Sequence, residues 1–341
     1  MSEKRLLRVL AGESVWPPPV WLMRQAGRYL PEYRALRAQA GDFIALCTSP
    51  ELAAEVTLQP LRRFGMDGAI LFSDILILPW ALGQGLRYAE GEGPVLPPIR
   101  DAEGVAALDP SRLQAAVAPI METVRRVRAE VGEATLIGFA GAPFTVVSYM
   151  VEGGGSKEFA TVRAMAFRQP DLFAQLMEIV TAATVEYLAL QVEAGAEAVM
   201  LFDSWSGVLS PGLFEAHVIA PSARIVRELR ARFPGLRILG FPRLAGVSVG
   251  AYAARTGVDA IGVDTSADLA TVATLLPSHV ATQGNLDPMA LAAGGEALRR
   301  EIERVLRAAR GRPHVFNLGH GVVPGTPPEH VATLMQQVRA A

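Results

Sequence analysis

Eight short apolar runs, spread along almost the whole chain, constrain the fold more than any other feature of the sequence. Each run follows a helix-like pattern and ends at a cluster of Gly, Pro, Asp or Asn, which is typical of buried parallel strands. Strands that alternate with helices over 341 residues predict an α/β fold, a single (β/α)8 (TIM) barrel with its active site at the carboxyl ends of the strands. The runs cover residues 20–23, 69–72, 135–139, 198–202, 236–241, 260–263, 280–284 and 314–318.

A doubly wound open sheet is the alternative fold, and it usually binds a nucleotide at a glycine-rich turn after its first strand. RQAGRY follows the first run in place of GxGxxG, and no GxxxxGK[ST] motif occurs, so the barrel is favoured. No linker is evident, which predicts one catalytic domain over residues 1–341. Residues 89–101 are expected to form a surface hairpin.

Five stretches have the apolar spacing of amphipathic helices. The first is predicted to begin at the N-cap Ser49, and the second to end at Gly195. Pro221 and the pair Gly294–Gly295 lie inside two of the others and predict interruptions there. The stretches are residues 50–64, 169–195, 210–233, 287–309 and 326–340.

Composition excludes several classes of protein. Half of the residues are apolar and 19% are charged, which indicates a large core rather than disorder. The formal net charge of −2 argues against nucleic acid or an anionic membrane as a partner. Cys47 is the sole cysteine, which excludes an internal disulfide and cysteine-rich metal sites and favours a reducing compartment. No run offers about 18 uninterrupted apolar residues, and the amino terminus lacks signal-peptide features, so a cytoplasmic location is expected.

Polar and flexible residues follow most of the predicted strands at the point where each strand ends. Arg24–Tyr29 follow the first run, Ser73 and Asp74 the second, and Asp203–Gly207 the fourth, while Gly319–Gly321 follow the eighth. Because the carboxyl ends of barrel strands meet at one face, these residues are expected to line a common site.

Two arginines, Arg24 and Arg28, are four residues apart around a glycine. On a helical turn this spacing places both guanidiniums on one side, where they suit a ligand with several carboxylates or phosphates. A solvated arginine pair is the alternative, because 30 of the 32 basic residues are arginine. Asp74 is predicted to be buried at a strand end, which requires as partner either one of these arginines or the N–H groups or positive charge of a ligand.

Three further side chains are candidates for ligand binding. His320 lies between two glycines, which is typical of a binding loop, although it could instead bond to its own backbone. Ser204 follows Asp203 without a GxSxG elbow, which favours a hydrogen bond to a ligand over nucleophilic catalysis. Tyr149 could donate its hydroxyl to a ligand or be satisfied within the protein. The dispersed histidines form no HxH or HExxH pattern, so no metal site is expected.

WLMRQAGRYLPEYR at 21–34 closely resembles the amino-terminal signature of the uroporphyrinogen decarboxylase family. Six other blocks resemble that family in the same order, and together they span the chain from about residue 4 to 341. RQAGRYLPEYR and NLGHGV together are highly specific. The other blocks are FSDIL (72–76), GFAGAPFT (138–145), SYMVEGGGSK (148–157), LFDSWSG (201–207), QGNLDP (283–288) and FNLGHGV (316–322).

The resemblance implies a single (β/α)8 barrel, usually a homodimer, that needs no cofactor or metal. It implies conversion of the four acetate side chains of uroporphyrinogen III to methyls, giving coproporphyrinogen III and CO2 in heme biosynthesis. By the same resemblance Asp74 is the central acid, and catalysis depends on it together with Arg24 and Arg28. The implied substrate-binding residues are Arg24, Gln25, Ala26, Gly27, Arg28, Asp74, Tyr149, Ser204 and His320.

Two segments depart from the family pattern. FPRLAG (241–246) and GVDTSAD (262–268) differ from the glycine-rich and tryptophan-containing forms expected there, which leaves open what lines the site beyond the fifth and sixth runs. Relatives of the same fold transfer methyl groups to or from corrinoids and thiols and carry zinc ligands that include a cysteine in the carboxyl-terminal half. Cys47 lies outside that region, so the decarboxylase is favoured over a methyltransferase or a non-catalytic tetrapyrrole-binding protein.

Overall fold

One parallel sheet organises the chain in the computed structural model, which describes residues 3–89 and 93–341. Seven of the described strands form this sheet in the order β1-β4-β5-β6-β7-β8-β9, and β2 and β3 form a separate antiparallel hairpin. The strands are β1 (Gly68–Ile70), β2 (Arg87–Ala89), β3 (Gly93–Val95), β4 (Thr135–Gly141), β5 (Ala198–Asp203), β6 (Arg237–Pro242), β7 (Ala260–Gly262), β8 (Ala281–Leu286) and β9 (His314–Leu318).

The segment around Val20 closes the sheet into a barrel. Val20 forms a parallel bridge with Phe316 of β9. On its other side the Val20 N–H donates to Asp67 Oδ2, and its carbonyl accepts from the Asp67 N–H, both at 2.8 Å. Asp67 directly precedes β1, so this segment fills the eighth position between β9 and β1. The predicted (β/α)8 barrel is confirmed.

The first predicted strand, 20–23, is wrong in its extent, since pairing there reduces to a bridge at one residue. Residues 17–19 are prolines, which have no N–H to donate to a sheet. After Val20 the chain turns, and the Leu22 N–H donates to Gln25 Oε1 at 3.1 Å. The other seven runs overlap strands, because most of their residues are buried in the barrel.

Helices cover the outside of the barrel and connect the strands. They are α1 (Arg5–Leu10), α2 (Pro31–Gln39), α3 (Phe43–Cys47), α4 (Pro50–Phe64), α5 (Ile77–Ala81), α6 (Ala102–Ala106), α7 (Leu113–Glu130), α8 (Pro143–Glu152), α9 (Ala160–Arg168), α10 (Pro170–Ala194), α11 (Pro211–Phe214), α12 (Ala220–Arg232), α13 (Ser248–Thr256), α14 (Leu269–Leu275), α15 (Pro288–Ala293), α16 (Gly295–Ala309) and α17 (Pro328–Arg339). A π-helical turn over Glu215–Ile219 joins α11 to α12.

The helix predictions hold with two corrections. The expected break at Pro221 is instead this π-helical turn within one continuous helical stretch, because the wider turn accommodates a residue without an N–H. Gly294, at a φ of +69°, does end α15 and separate it from α16. Ser49 occupies the N-cap of α4, but its side chain makes no capping bond. The hairpin expected over 89–101 lies earlier in the chain, with β2 at Arg87–Ala89 and β3 at Gly93–Val95, and residues 90–92 lie outside the described part of the chain.

Helix α10 is the one helix of the described residues long and apolar enough to cross a membrane by length and composition alone. It packs against α7, α8 and α12, and 61% of its most apolar window is buried within the protein. Its apolar character is therefore that of a core helix, which packs against the β4 side of the barrel.

Candidate active site

The sequence-predicted residues gather at the carboxyl ends of the barrel strands. Asp74 lies four residues after β1, Tyr149 is on α8 after β4, and Ser204 directly follows β5. His320 lies two residues after β9, and Arg24 follows the Val20 bridge. The face predicted from sequence is thus the one at which these side chains emerge.

Arg24 is fixed against the loop that follows β9. The Met23 N–H donates to Asn317 Oδ1, and the Val322 N–H donates to the Met23 carbonyl, both at 2.9 Å. The Arg24 side chain then crosses Gly321 so closely that a Cβ at that glycine would lie 2.7 Å from Arg24 Cγ. Arg24 itself has a φ of +61°, a left-handed conformation that a non-glycine residue rarely adopts and that is common at functional sites.

Arg24–Arg28 form bends and non-helical turns, so the argument from helical spacing does not apply to the two arginines. The two arginines consequently influence different groups. The charge of Arg24 lowers the pKa of Asp74 and of His320, whereas that of Arg28 lowers the pKa of Tyr33. Both guanidiniums are exposed, and neither forms an ion pair within the described residues.

The segment between the two arginines offers backbone rather than side-chain donors. Gln25 is completely buried, with its amide nitrogen donating to the Gly68 carbonyl at 3.0 Å and its amide oxygen accepting from the Leu22 N–H. The Gln25 amide therefore holds the segment to β1, and substrate binding by this residue stays a prediction. The N–H groups of Ala26, Gly27 and Arg28 donate to no acceptor in the described structure and remain free for a ligand.

Asp74 is a half-buried carboxylate without an ionic partner among the described residues. Its Oδ1 accepts from the Leu76 N–H at 2.8 Å. Burial raises the pKa of Asp74, and the Leu76 hydrogen bond, the nearby Tyr88 hydroxyl and the positive charge of Arg24 oppose that shift. No described residue forms the internal salt bridge with Asp74 that was considered from the sequence, so the carboxylate is available to a positively polarised ligand.

Tyr88, on the β2–β3 hairpin, lies beside Asp74 but was not singled out from the sequence, since it precedes the hairpin expected over 89–101. Its ring packs edge-on against Phe43, with centroids 4.8 Å apart. Its hydroxyl is buried without a hydrogen-bond partner within 3.5 Å, although it faces Asp74. Burial, and then the negative charge of Asp74, raise the pKa of Tyr88. The hydroxyl is thus a neutral donor beside the carboxylate.

Tyr149 and Ser204 lie on neighbouring elements beside Trp205. The Tyr149 and Trp205 ring centroids are 6.2 Å apart, and burial raises the pKa of Tyr149, which keeps its hydroxyl protonated. Ser204 is half-buried, and its hydroxyl bonds to none of the described residues. In particular no hydrogen bond joins it to His320, so the geometry gives no support to a catalytic triad.

His320 is held in one tautomer by its own loop. Its Nδ1 accepts from the Gly321 N–H at 2.6 Å, so the ring proton resides on Nε2. Burial, followed by the positive charges of Arg24 and Arg243, lowers the pKa of His320 to about 4. The imidazole is therefore neutral at pH 7, with Nε2–H as a donor.

Asp203, which precedes Ser204, is an acid that was noted in the sequence analysis but was given no role there. It is 1% exposed, and its Oδ1 accepts from Thr145 Oγ1 at 2.6 Å. Its Oδ2 is buried without a partner among the described residues, and burial raises the pKa of Asp203 to about 7.

Two arginines at this face were not singled out from the sequence. Arg37 is half-buried beside Tyr33 and Cys47, and its positive charge lowers the pKa of both. Arg243, in the FPRLAG segment, directly follows β6 and lies over the Trp205 ring at 5.9 Å. Neither arginine stood out in the sequence, because 30 of the 32 basic residues are arginine. Among the described residues, no group of three or more His, Cys, Asp or Glu side chains is arranged to hold a metal ion.

Known proteins resemble this chain along nearly its whole length. The sequence profile of the uroporphyrinogen decarboxylase (URO-D) family matches residues 1–341. Uroporphyrinogen decarboxylase of Acidiphilium cryptum (strain JF-5) is 62% identical over 340 residues, which are 99% of this chain and 95% of that protein. The Granulibacter bethesdensis enzyme of the same name is 60% identical, over 98% of this chain and 99% of its own. The chain belongs to the uroporphyrinogen decarboxylase family.

Solved structures extend the likeness of this uroporphyrinogen decarboxylase fold to other enzymes. A methyltransferase from Methanosarcina mazei superposes with a TM-score of 0.82 at 22% identity, covering 99% of this chain and 98% of the other. A putative vitamin-B12-independent methionine synthase from Listeria monocytogenes gives 0.55 at 12% identity, covering 94% and 95%. At these identities the likeness concerns the barrel alone, so the family assignment rests on the sequence relatives.

Proposed function

We propose that the residues gathered in a cleft at the carboxyl ends of the barrel strands carry out the family's reaction, with Asp74 as the central acid. The reaction removes the four acetate carboxyls of uroporphyrinogen III and gives coproporphyrinogen III and CO2. One observation carries this assignment: Asp74 is half-buried, fixed through Oδ1 to the Leu76 N–H, and paired with no described cation. A carboxylate held in this way attracts a ligand that supplies N–H donors and positive charge, which a protonated tetrapyrrole does.

The chemistry needs a temporary electron sink. A proton adds to a ring carbon of the pyrrole and produces an iminium-like cation. The bond between the acetate methylene and its carboxyl carbon then breaks, CO2 leaves, and the bonding electron pair passes into the ring. A second proton converts the methylene to a methyl group, and the ring proton is released. Asp74, in a site of low dielectric, stabilises the cation as it develops.

The amino-terminal segment orients the carboxylates of the substrate. Arg24 and Arg28 provide exposed guanidiniums without ion-pair partners, and the free N–H groups of Ala26, Gly27 and Arg28 add neutral donors. Gln25 supports this arrangement from beneath by its bond to the Gly68 carbonyl. An arginine that holds the departing carboxylate stabilises the ground state too, so these groups mainly raise affinity and fix orientation.

Tyr149, Ser204 and His320 supply the remaining donors. At pH 7 the Tyr149 hydroxyl is protonated, since burial raises its pKa, and His320 is neutral with its proton on Nε2. The Ser204 hydroxyl has no protein partner within the described structure. Each group can therefore donate one hydrogen bond to a substrate carboxylate. None of them brings a positive charge that would compete with the protonated ring for Asp74.

Four further expectations accompany this function. The chain acts as one catalytic domain over residues 1–341, since a single sheet takes strands from residue 68 to 318. It needs no cofactor or metal, and it works in the cytoplasm without a nucleic-acid or membrane partner. It forms a homodimer, for which the exposed apolar Leu244 and Val247 beyond β6 are candidate contact residues. Light scattering on the purified protein measures the last of these, and a monomeric mass would contradict it.

The decisive experiment is an anaerobic incubation of chelator-treated protein with chemically reduced uroporphyrinogen III. Products are separated by the number of carboxylates. We expect stepwise appearance of porphyrinogens with seven, six, five and four carboxylates. Binding of the substrate without release of CO2 would contradict the proposal and support a tetrapyrrole-binding protein, while activity restored only by added zinc would support metal-dependent chemistry.

A further inference from the structure

Arg243 is a half-buried cation for which the described residues provide no anion. Other half-buried arginines of β6 and α12 are paired: Arg230 and Arg237 with Asp259, and Arg224 with two glutamates. In the described structure the Arg243 guanidinium donates one hydrogen bond, to the Ser204 carbonyl at 3.5 Å, and lies over the Trp205 ring. A partly desolvated charge with so few partners is energetically unfavourable unless a ligand of opposite charge pairs with it.

The nearby carboxylates are already engaged or turned away. Asp264 accepts from the Leu244 N–H through Oδ2, and from the Ser266 N–H and hydroxyl through Oδ1. Asp203 accepts from Thr145, and its second oxygen is buried without any partner. Neither acid lies within 4 Å of the Arg243 guanidinium. The missing anion is thus not an internal residue of the described structure.

The backbone of Arg243 is held rigidly between two strands. Its N–H donates to the Asp203 carbonyl at 3.0 Å, and its carbonyl accepts from the Gly207 N–H at 3.1 Å and from Ser206 Oγ at 3.0 Å. The next residue, Leu244, has a φ of +60°. A side chain that leaves a fixed backbone and rests on the face of Trp205 is organised before a ligand arrives, which lowers the entropic cost of binding.

The barrel places Arg243 across the site from Arg24. Counting from the Val20 segment through β1, β4 and β5 reaches β6 in four steps, and counting through β9, β8 and β7 also takes four. Arg24 and Arg243 therefore emerge from opposite positions of the eight. Both lower the pKa of His320, so both charges act on the same space between them.

We propose that Arg243 is a substrate-binding residue that holds an ionised acetate or propionate arm on the side of the macrocycle opposite the arm held by Arg24. This inference rests on the proposed function. The substrate carries eight carboxylates around its rim, so a cleft with cations on one side alone would leave the far arms to solvent. Arg243 binds rather than reacts, and Trp205 positions it.

The test compares Arg243→Gln and Arg243→Lys with the wild type and with Arg227→Gln. Arg227 is an exposed arginine of α12 without an ion pair in the described structure, so it controls for loss of one surface charge. KM and kcat are measured for the first decarboxylation of uroporphyrinogen III at several salt concentrations. We expect Arg243→Gln to raise KM by about 10- to 100-fold with a much smaller change in kcat, as loss of a charge-assisted hydrogen bond does.

The other variants make the result specific. We expect Arg243→Lys to recover part of the affinity, since it keeps the charge and loses the planar fork, and Arg227→Gln to match the wild type. The dependence of KM on salt should weaken in Arg243→Gln. An unchanged KM in a folded Arg243→Gln protein, or a loss confined to kcat, overturns the inference. Failure of the wild type to release CO2 is a different outcome, which refutes the proposed function itself.

Discussion

Asp74 combines burial with the absence of an ionic partner, two properties that proteins usually avoid together. Its pKa is raised by burial and held down by the Leu76 N–H, the Tyr88 hydroxyl and the charge of Arg24. None of these groups forms a close ion pair with Asp74 in the described structure. In the proposed mechanism a cation that develops on the substrate meets this uncompensated negative charge, so Asp74 would stabilise the transition state more than the free enzyme.

We expect Asp74→Asn to lower kcat by about 10²–10³ while the protein remains folded, because the amide keeps the bond to Leu76 and loses the charge. Asp109→Asn is the matched control, since Asp109 also accepts from the N–H two residues ahead but is exposed away from the site. Steady-state turnover of uroporphyrinogen III and circular dichroism measure the two properties. Wild-type turnover in Asp74→Asn would remove Asp74 from the mechanism.

Asp203 gives the molecule a pH dependence of stability. Its pKa is raised by burial to about 7, above the unfolded value, so its contribution to stability is complete at low pH and is lost as pH rises toward 7. Each pH unit of that window costs at most about 1.4 kcal/mol. We expect the melting temperature of Asp203→Asn to rise relative to that of the wild type between pH 5 and pH 8. A constant difference across that range would mean that Asp203 is already ionised at pH 5.

At the scale of elements, Arg24 near the amino terminus is held in place by β9 and the loop that follows it, near the carboxyl terminus. The loop after β9 brings Gly321 directly beneath the Arg24 side chain, where even a methyl group would collide with it. The glycine is therefore required by the close approach of the Arg24 side chain, since its own backbone conformation is ordinary.

We expect Gly321→Ala to displace Arg24 and to raise KM at least tenfold, with little change in stability. Gly325→Ala controls for the substitution, because nothing lies within 4 Å of a Cβ at Gly325 and it too has an ordinary backbone. Kinetics and thermal melting of both variants separate the effects. Equal KM values in the two variants would show that the side chain of Arg24 accommodates the methyl group without a loss of function.

The sequence predicted strands and helix ends well where burial of apolar residues or a terminal glycine determined them. Continuous apolar runs marked β4 to β9, and Gly195 marked the end of α10. Three features depended on distant contacts and were missed: the left-handed turn at Arg24, the placement of Tyr88 against Asp74, and the free charge of Arg243. Motif resemblance identified Asp74, Tyr149, Ser204 and His320, but no local pattern distinguishes an arginine that lacks a partner from one that has one.

On the scale of the whole molecule, closure of the barrel depends on few bonds. The Val20 segment pairs with β9 at one residue and is attached to the β1 side through the Asp67 carboxylate and N–H. A side chain thus replaces part of the ladder that a full eighth strand would provide.

We expect Asp67→Ala to destabilise the protein by about 1–3 kcal/mol, because it leaves the Val20 N–H without an acceptor. Glu133→Ala removes an exposed carboxylate that bonds to none of the described residues and is expected to be neutral. Urea unfolding followed by fluorescence compares the two. An unchanged midpoint in Asp67→Ala would show that water takes over the bond.

The bridge between the Val20 segment and β9 also sets an order of events during synthesis. The residues that carry Arg24 leave the ribosome early, yet the groups that hold them, such as the Asn317 side chain 294 residues beyond Met23, are made almost last. Contacts so distant in sequence form late in folding. The nascent chain therefore carries the segment of Arg24 with its contacts to residues 67 and 68 but without those to β9 until translation is nearly finished, and a product truncated before β9 lacks the second set of contacts, to Phe316 and Asn317.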